Sequence, residues 1–239
     1  MLSRIALAFV SGLVLTASAS TAQAQATSYT DAANDIDPTI GTGGGTLDLL
    51  GMEVSNTATD IVFRLTVNGN VGPGGTDWGK FMIGISTGSN AGDSATNGNG
   101  WGRPINMNSA LGGMNYWIGS WVDGGGGSQL WNYTGSAWSG PASLSGFTFA
   151  GNTITYTTSL ASLGLSVGNT FFFDAYSSGG GGGDGAIDAL ANPNVSVTSW
   201  GGAYTSGGSN PIYSYTVVPA PGAVALLGLA GLMARRRRR

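Results

Sequence analysis

Glycine fills 43 of the 239 positions, and much of it comes in runs, Gly124 to Gly127 and Gly179 to Gly183 among them. On composition alone such a chain reads as disordered. Seven Trp, eight Tyr and eight Phe argue the other way, because aromatic side chains at this density can build a core. Together the two observations predict short strands joined by long Gly/Ser/Asn loops. No amphipathic helix of ordinary length is visible.

The strand pattern is clearest at 61–68. Ile61, Phe63, Leu65 and Val67 fall on one face, and Val62, Arg64, Thr66 and Asn68 on the other. That is the period-two alternation of a half-buried strand. Further strands are expected at 47–54, 80–87, 114–122, 129–133, 147–149, 153–158, 195–200 and 212–217. The apolar run 170–176 reads as a strand covered on both faces, and only 159–165 reads as a helical turn. Many short strands separated by turn signals predict an all-β fold, a single antiparallel β-sandwich over residues 27–216.

Both ends of the chain read as targeting segments. A basic start at Arg4, an apolar stretch over 5–16, and overlapping A-x-A sites ending at Ala24 and Ala26 predict a secretory signal peptide over residues 1–26. At the other end, Pro219, Ala220 and Pro221 precede a twelve-residue apolar run, and Arg235 to Arg239 follow. A helix needs roughly 20 apolar residues to span a bilayer. Residues 217–239 therefore read as a processed tail rather than a permanent anchor. Cleavage is expected near Pro219, Ala220 and Pro221, with Arg235, Arg236 and their neighbours resisting passage through the membrane.

Setting the ends aside leaves three basic residues, Arg64, Lys80 and Arg103, against twelve acidic ones, a net charge of −9. Such a body repels nucleic acid and anionic lipid and is compatible with Ca²⁺. There is no Cys and no His. Disulfides, thiolate sites, and Ser-His-Asp or Cys-His catalysis are therefore excluded.

The three-part chain end resembles the PEP-CTERM sorting signal of exopolysaccharide-producing bacteria, with Ala220 where the commonest form has Glu. That resemblance implies export, transient membrane anchoring, and recognition by an exosortase-type membrane sorting protease. The destination would be the cell envelope, cell surface or extracellular matrix. The body resembles the DOMON-like sandwiches, including family-nine carbohydrate-binding modules and the C-terminal domain of glucodextranase. The segments that carry this are Asp31 to Asp35, Asp60 to Leu65, Gly102 to Ile105 and Tyr116 to Gly119. It implies a β-sandwich with a structural Ca²⁺ in many members and a sugar site in some.

Asp31, Asp35 and Asp37 place three carboxylates in seven residues, and hard oxygen donors at this density suit Ca²⁺. The EF-hand register fails, since Thr46 stands where the twelfth-position Glu is needed. A solvated acidic turn would use the same residues. Asp184 and Asp188 are outside candidates for a second ion or for completing the first site. The glycine run satisfies G-x-G-x-x-G trivially, with no βαβ unit around it. It also matches a Ca²⁺-binding nonapeptide once, where tandem copies are needed.

Trp101, beside Arg103 in a polar loop, is the candidate for stacking on a polysaccharide, with core packing as its alternative. Trp117 and Trp121 share a strand face, and Trp131 and Trp138 flank a turn. Thr153, Thr155 and Thr157 alternate on one face, as an ice-binding array would, but ordinary β-propensity explains them. The body's single Glu, Glu53, argues against a paired-carboxylate glycoside hydrolase. The expectation is a non-enzymatic surface or matrix protein, with a carbohydrate-binding module as the alternative.

Overall fold

The computed structural model describes residues 24–41, 45–72, 79–88 and 98–220. Residues 1–23 of the expected signal peptide, and Pro221, Arg235 and Arg236 of the expected tail, lie outside the described residues. The early strands are β1 (Thr27–Thr30), β2 (Leu49–Asn56), β3 (Asp60–Val67), β4 (Lys80–Ser86) and β5 (Ile105–Asn108). The middle ones are β6 (Tyr116–Trp121), β7 (Gly127–Tyr133), β8 (Trp138–Ala142), β9 (Gly146–Ala150) and β10 (Thr153–Ser159). After a 3-10 turn at Ala161–Leu163 come β11 (Thr170–Ser178), β12 (Asp188–Ala189), β13 (Tyr204–Gly207) and β14 (Tyr213–Thr216). The described chain is all-β.

Alternation decides which way each strand faces. Ile61, Phe63, Leu65 and Val67, the face expected inward, are all 0% exposed. They line a five-stranded antiparallel sheet in the order β1-β2-β3-β10-β9. A second antiparallel sheet runs β12-β11-β4-β6-β7-β8, with β14 also on β11. The Phe63 ring meets Phe171 and Phe173 of the second sheet at 6.2 and 6.1 Å. The Ser120 and Tyr156 hydroxyls bond across the same space at 2.8 Å. The two sheets thus share one sandwich-like core.

The larger sheet is also covered on its other face, which sets it apart from a simple two-layer arrangement. Met82, Trp117 and Tyr176 point outward from it and are still fully buried. Their cover is the loop region around 98–114 and a ribbon of β5 and β13, paired in parallel with Tyr204 opposite Ile105. A parallel pair needs a long connection, and here β6 to β12, half of the described strands, lie between the two. Gly84 shows how close the cover sits. A Cβ there would meet Met114 Sδ at 2.5 Å and Met107 Cε at 3.2 Å.

Residues 195–200, expected as a strand, form none. Val197 is buried and Val195 is 41% exposed, and the chain turns back through the Gly202 N–H to the Ser199 carbonyl at 3.0 Å. The available edge of β11 is already taken by β12 and β14, so β-propensity finds no partner. Trp138 faces Tyr133 across the β7–β8 hairpin, with rings 5.5 Å apart. Trp131 faces Trp117 on β6 instead.

Candidate metal centre

β1 delivers the chain into a tight acidic turn at the open end of the core. The Asp31 Oδ1 accepts the Ala32 N–H at 2.8 Å. Asn34 has a φ of 66°, and its N–H donates to both oxygens of Asp48 at 3.2 and 3.0 Å. This left-handed residue, of a type that tolerates such a backbone, turns Asp35 back toward Asp31. The third acid comes from far along the chain. Asp188 on β12 is 1% exposed, and its carboxylate accepts the N–H of Leu49 at 2.7 Å and of Ala189 at 2.8 Å.

Ligand oxygens of Asp31, Asp35 and Asp188 all lie within 4.8 Å of one another. Asp31 Oδ2 and both oxygens of Asp35 are buried and accept no hydrogen bond. Burial is the main cause of their shifted ionisation, and the neighbouring acids add to it. Asp31 is pushed up to about 8 and Asp35 to about 6. Asp188 is held well above the usual carboxylate range, by burial first and then by Asp31 and Asp35. The two ion pairs among the described residues, Arg64–Glu53 and Lys80–Asp123, involve none of the three. Nearby, the Tyr204 hydroxyl is buried without a hydrogen-bond partner and feels the charge of Asp174, Asp188 and Asp31.

Buried carboxylate oxygens without donors are costly unless something positive meets them. An oxygen-only donor set fits a hard cation, and Ca²⁺ takes 6–8 such ligands. Asp37 does not join the group. It is half-buried, and its Oδ1 accepts the Thr39 N–H at 2.8 Å and the Thr39 hydroxyl at 2.5 Å, which holds its carboxyl below the usual range. Asp188 stands in its place. Asp184 is elsewhere, capping the Gly181 N–H at 2.8 Å.

Trp101 is half-buried and covers Gly119, where any Cβ would strike its ring. Its Nε1 donates to Gln129 Oε1 at 2.8 Å, an oxygen that also accepts from Trp131 at 3.1 Å. Arg103 is 6% exposed and lies 5.4 Å from the Trp101 ring centroid. Its guanidinium donates to Ser178 Oγ, Asp184 O and Gly179 O at 2.7, 3.1 and 3.2 Å, and burial lowers its pKa. Both residues therefore fasten the covering loop to the sheet. At the chain end, Pro219 is exposed and Ala220 is 8% exposed.

One polar cluster gave no sequence signal. Asp174 is fully buried on β11. It accepts the Ser206 hydroxyl at 2.5 Å and the N–H of Ala175 and Ala191 at 2.9 and 3.0 Å. Tyr176 bonds Ser206 at 2.8 Å, and burial pushes Asp174 up to about 7. The serine and carboxylate are sealed beneath the ribbon, so the cluster ties cover to sheet. No family model, curated protein or solved structure matches the chain.

Proposed function

We propose that this chain is an exported, non-enzymatic surface or extracellular-matrix protein. In this reading its body is one β-sandwich completed by Ca²⁺ at Asp31, Asp35 and Asp188, and its tail is processed by an exosortase-type protease. The observation that carries the cation is the meeting of three carboxylates whose buried oxygens lack donors. Delivery rests on the signal-like ends. The non-enzymatic reading rests on the absence of His and Cys from the sequence and on the structural roles found for the buried acids.

Melting curves in Ca²⁺ and in chelator test the site. A ligand that binds only the folded state raises the melting temperature, by about 2.7 kcal/mol of added stability at a hundredfold excess over its dissociation constant. Coincident curves would remove the cation from the reading.

Carbohydrate binding is the second reading. What favours it is the partly exposed pair Tyr133 and Trp138 on the β7–β8 edge hairpin, where an aromatic face can meet a sugar ring. A glycan array probed with the native protein and with Trp138→Ala separates the two readings. Retention lost in the variant supports the module, and no retention by either leaves the matrix protein.

A further inference from the structure

The three acids sit on parts of the molecule held with unequal strength. Asp188 is built into the wall. β12 pairs with β11, and the Ile187 and Leu190 N–H groups on either side bond Ser177 O and Ala175 O, each at 2.9 Å. Both carboxylate oxygens of Asp188 are also tied to backbone N–H groups. Asp31 and Asp35 ride on a shallow arm, residues 27–37. Thr27, Ser28 and Thr30 are exposed, and β1 pairs only with β2, over four residues. Beyond that ladder the arm is held by the Tyr29 ring, which packs on Phe173 and Tyr213 at 4.9 and 4.8 Å, by the Asp31 N–H on Leu50 O at 3.1 Å, and by a few side-chain bonds at the edge. Tyr29 OH donates to Ser214 O at 2.6 Å, Tyr213 OH donates to Thr30 O at 2.7 Å, and the Asn34 N–H reaches Asp48. A groove of about 560 Å³, bordered by Thr27, Tyr29, Ser214 and Thr216, runs beside it.

We propose that Ca²⁺ works as a releasable clasp: bound, it holds the 27–37 arm and β1 against the seam between the sheets, and its removal frees that arm while the rest of the fold stays closed. The inference rests on the cation reading above. Without the ion, three carboxyl groups crowd within 4.8 Å over buried oxygens that have no donor, and as they ionise like charges at that range repel. Asp188 can retreat only by breaking its bonds to Leu49 and Ala189. The arm can retreat by giving up a short edge ladder, the Tyr29 ring contacts and a few hydroxyl bonds, without unpairing any strand of the larger sheet. Relief therefore takes the arm, as a local opening rather than global unfolding. The Tyr204 hydroxyl, 4% exposed and without a geometric hydrogen-bond partner, feels the charge of Asp174 first and of Asp188 and Asp31 more weakly.

Hydrogen–deuterium exchange on the full-length chain tests the clasp, with Ca²⁺ binding followed by calorimetry on the same sample. In chelator, peptides over 27–37 should exchange at least about tenfold faster, with β3, β4, β6 and β10 unchanged. Asp188→Asn keeps an oxygen for the Leu49 N–H and removes the charge. Its arm in chelator should be better protected than the wild-type arm and should gain little from Ca²⁺. Binding accompanied by uniform or absent protection changes, or an Asp188→Asn arm looser than wild type in chelator, overturns the clasp and leaves the cation reading standing. No heat of binding, together with no protection anywhere, removes both.

Discussion

Asp35 points two buried oxygens at a space that offers them no donor, and its behaviour with pH follows from that. In ion-free protein Asp31 is raised to about 8 and Asp35 to about 6. A carboxyl raised in the folded state contributes stability while protonated and loses it as pH climbs through its folded value. Ion-free stability should therefore be greatest in acid and fall between about pH 4 and 8. Ca²⁺ competes with those protons, so the melting-temperature gain should be small near pH 5 and large near pH 8. Scanning calorimetry at both pH values checks this, and an equal gain would show that Asp31 and Asp35 are not the ligands. Arg103 offers a second residue-scale prediction. Arg103→Ala strands the groups that meet its guanidinium and should cost about 2–4 kcal/mol in chemical denaturation, whatever glycan is present. Asp31 and Asp35 were legible because they are close in sequence. Asp188 was visible only as an outside candidate, because the β11–β12 pairing that brings it to the site leaves no local pattern.

Among the strands, β3 and β10 were legible because each buries one face, so composition alternates with period two. The 170–176 segment was legible for the opposite reason. Phe171 and Phe173 fill the core while Asp174 and Tyr176 lie under the ribbon, and all four are 0% exposed. β1, β5, β12 and β13 are two to four residues long and exist because a neighbour offers an edge, which no single-chain periodicity records. The contact between loop and sheet gives an element-scale prediction. Gly119→Ala would drive a methyl group into the Trp101 indole. The loop must shift, at about 1–3 kcal/mol in urea unfolding. A neutral result would mean that the indole does not rest on β6.

For the whole molecule, the proposed processing at both ends predicts a mature protein shorter than the 239-residue chain. Intact-mass measurement of protein isolated from its native cells should show a start after Ala24 or Ala26 and an end near Pro219 to Gly222. Mature protein carrying both Met1 and Arg239 would contradict processing.

The parallel ribbon over the larger sheet carries one more consequence, a kinetic one. β5 and β13 meet only when residues near 105 and near 205 come together, and they close over a sheet whose strands must already be in place. A cover can close only on a sheet already formed, so the ribbon should be absent from the folding transition state. Destabilising it should then speed unfolding and leave the folding rate almost unchanged. Gly207→Ala, where φ is +78° and the new methyl group would meet the Asn108 carbonyl, should raise the unfolding limb of a chevron plot and spare the folding limb. The layer that seals the aromatic face would thus set how long a folded molecule lasts rather than how quickly it forms.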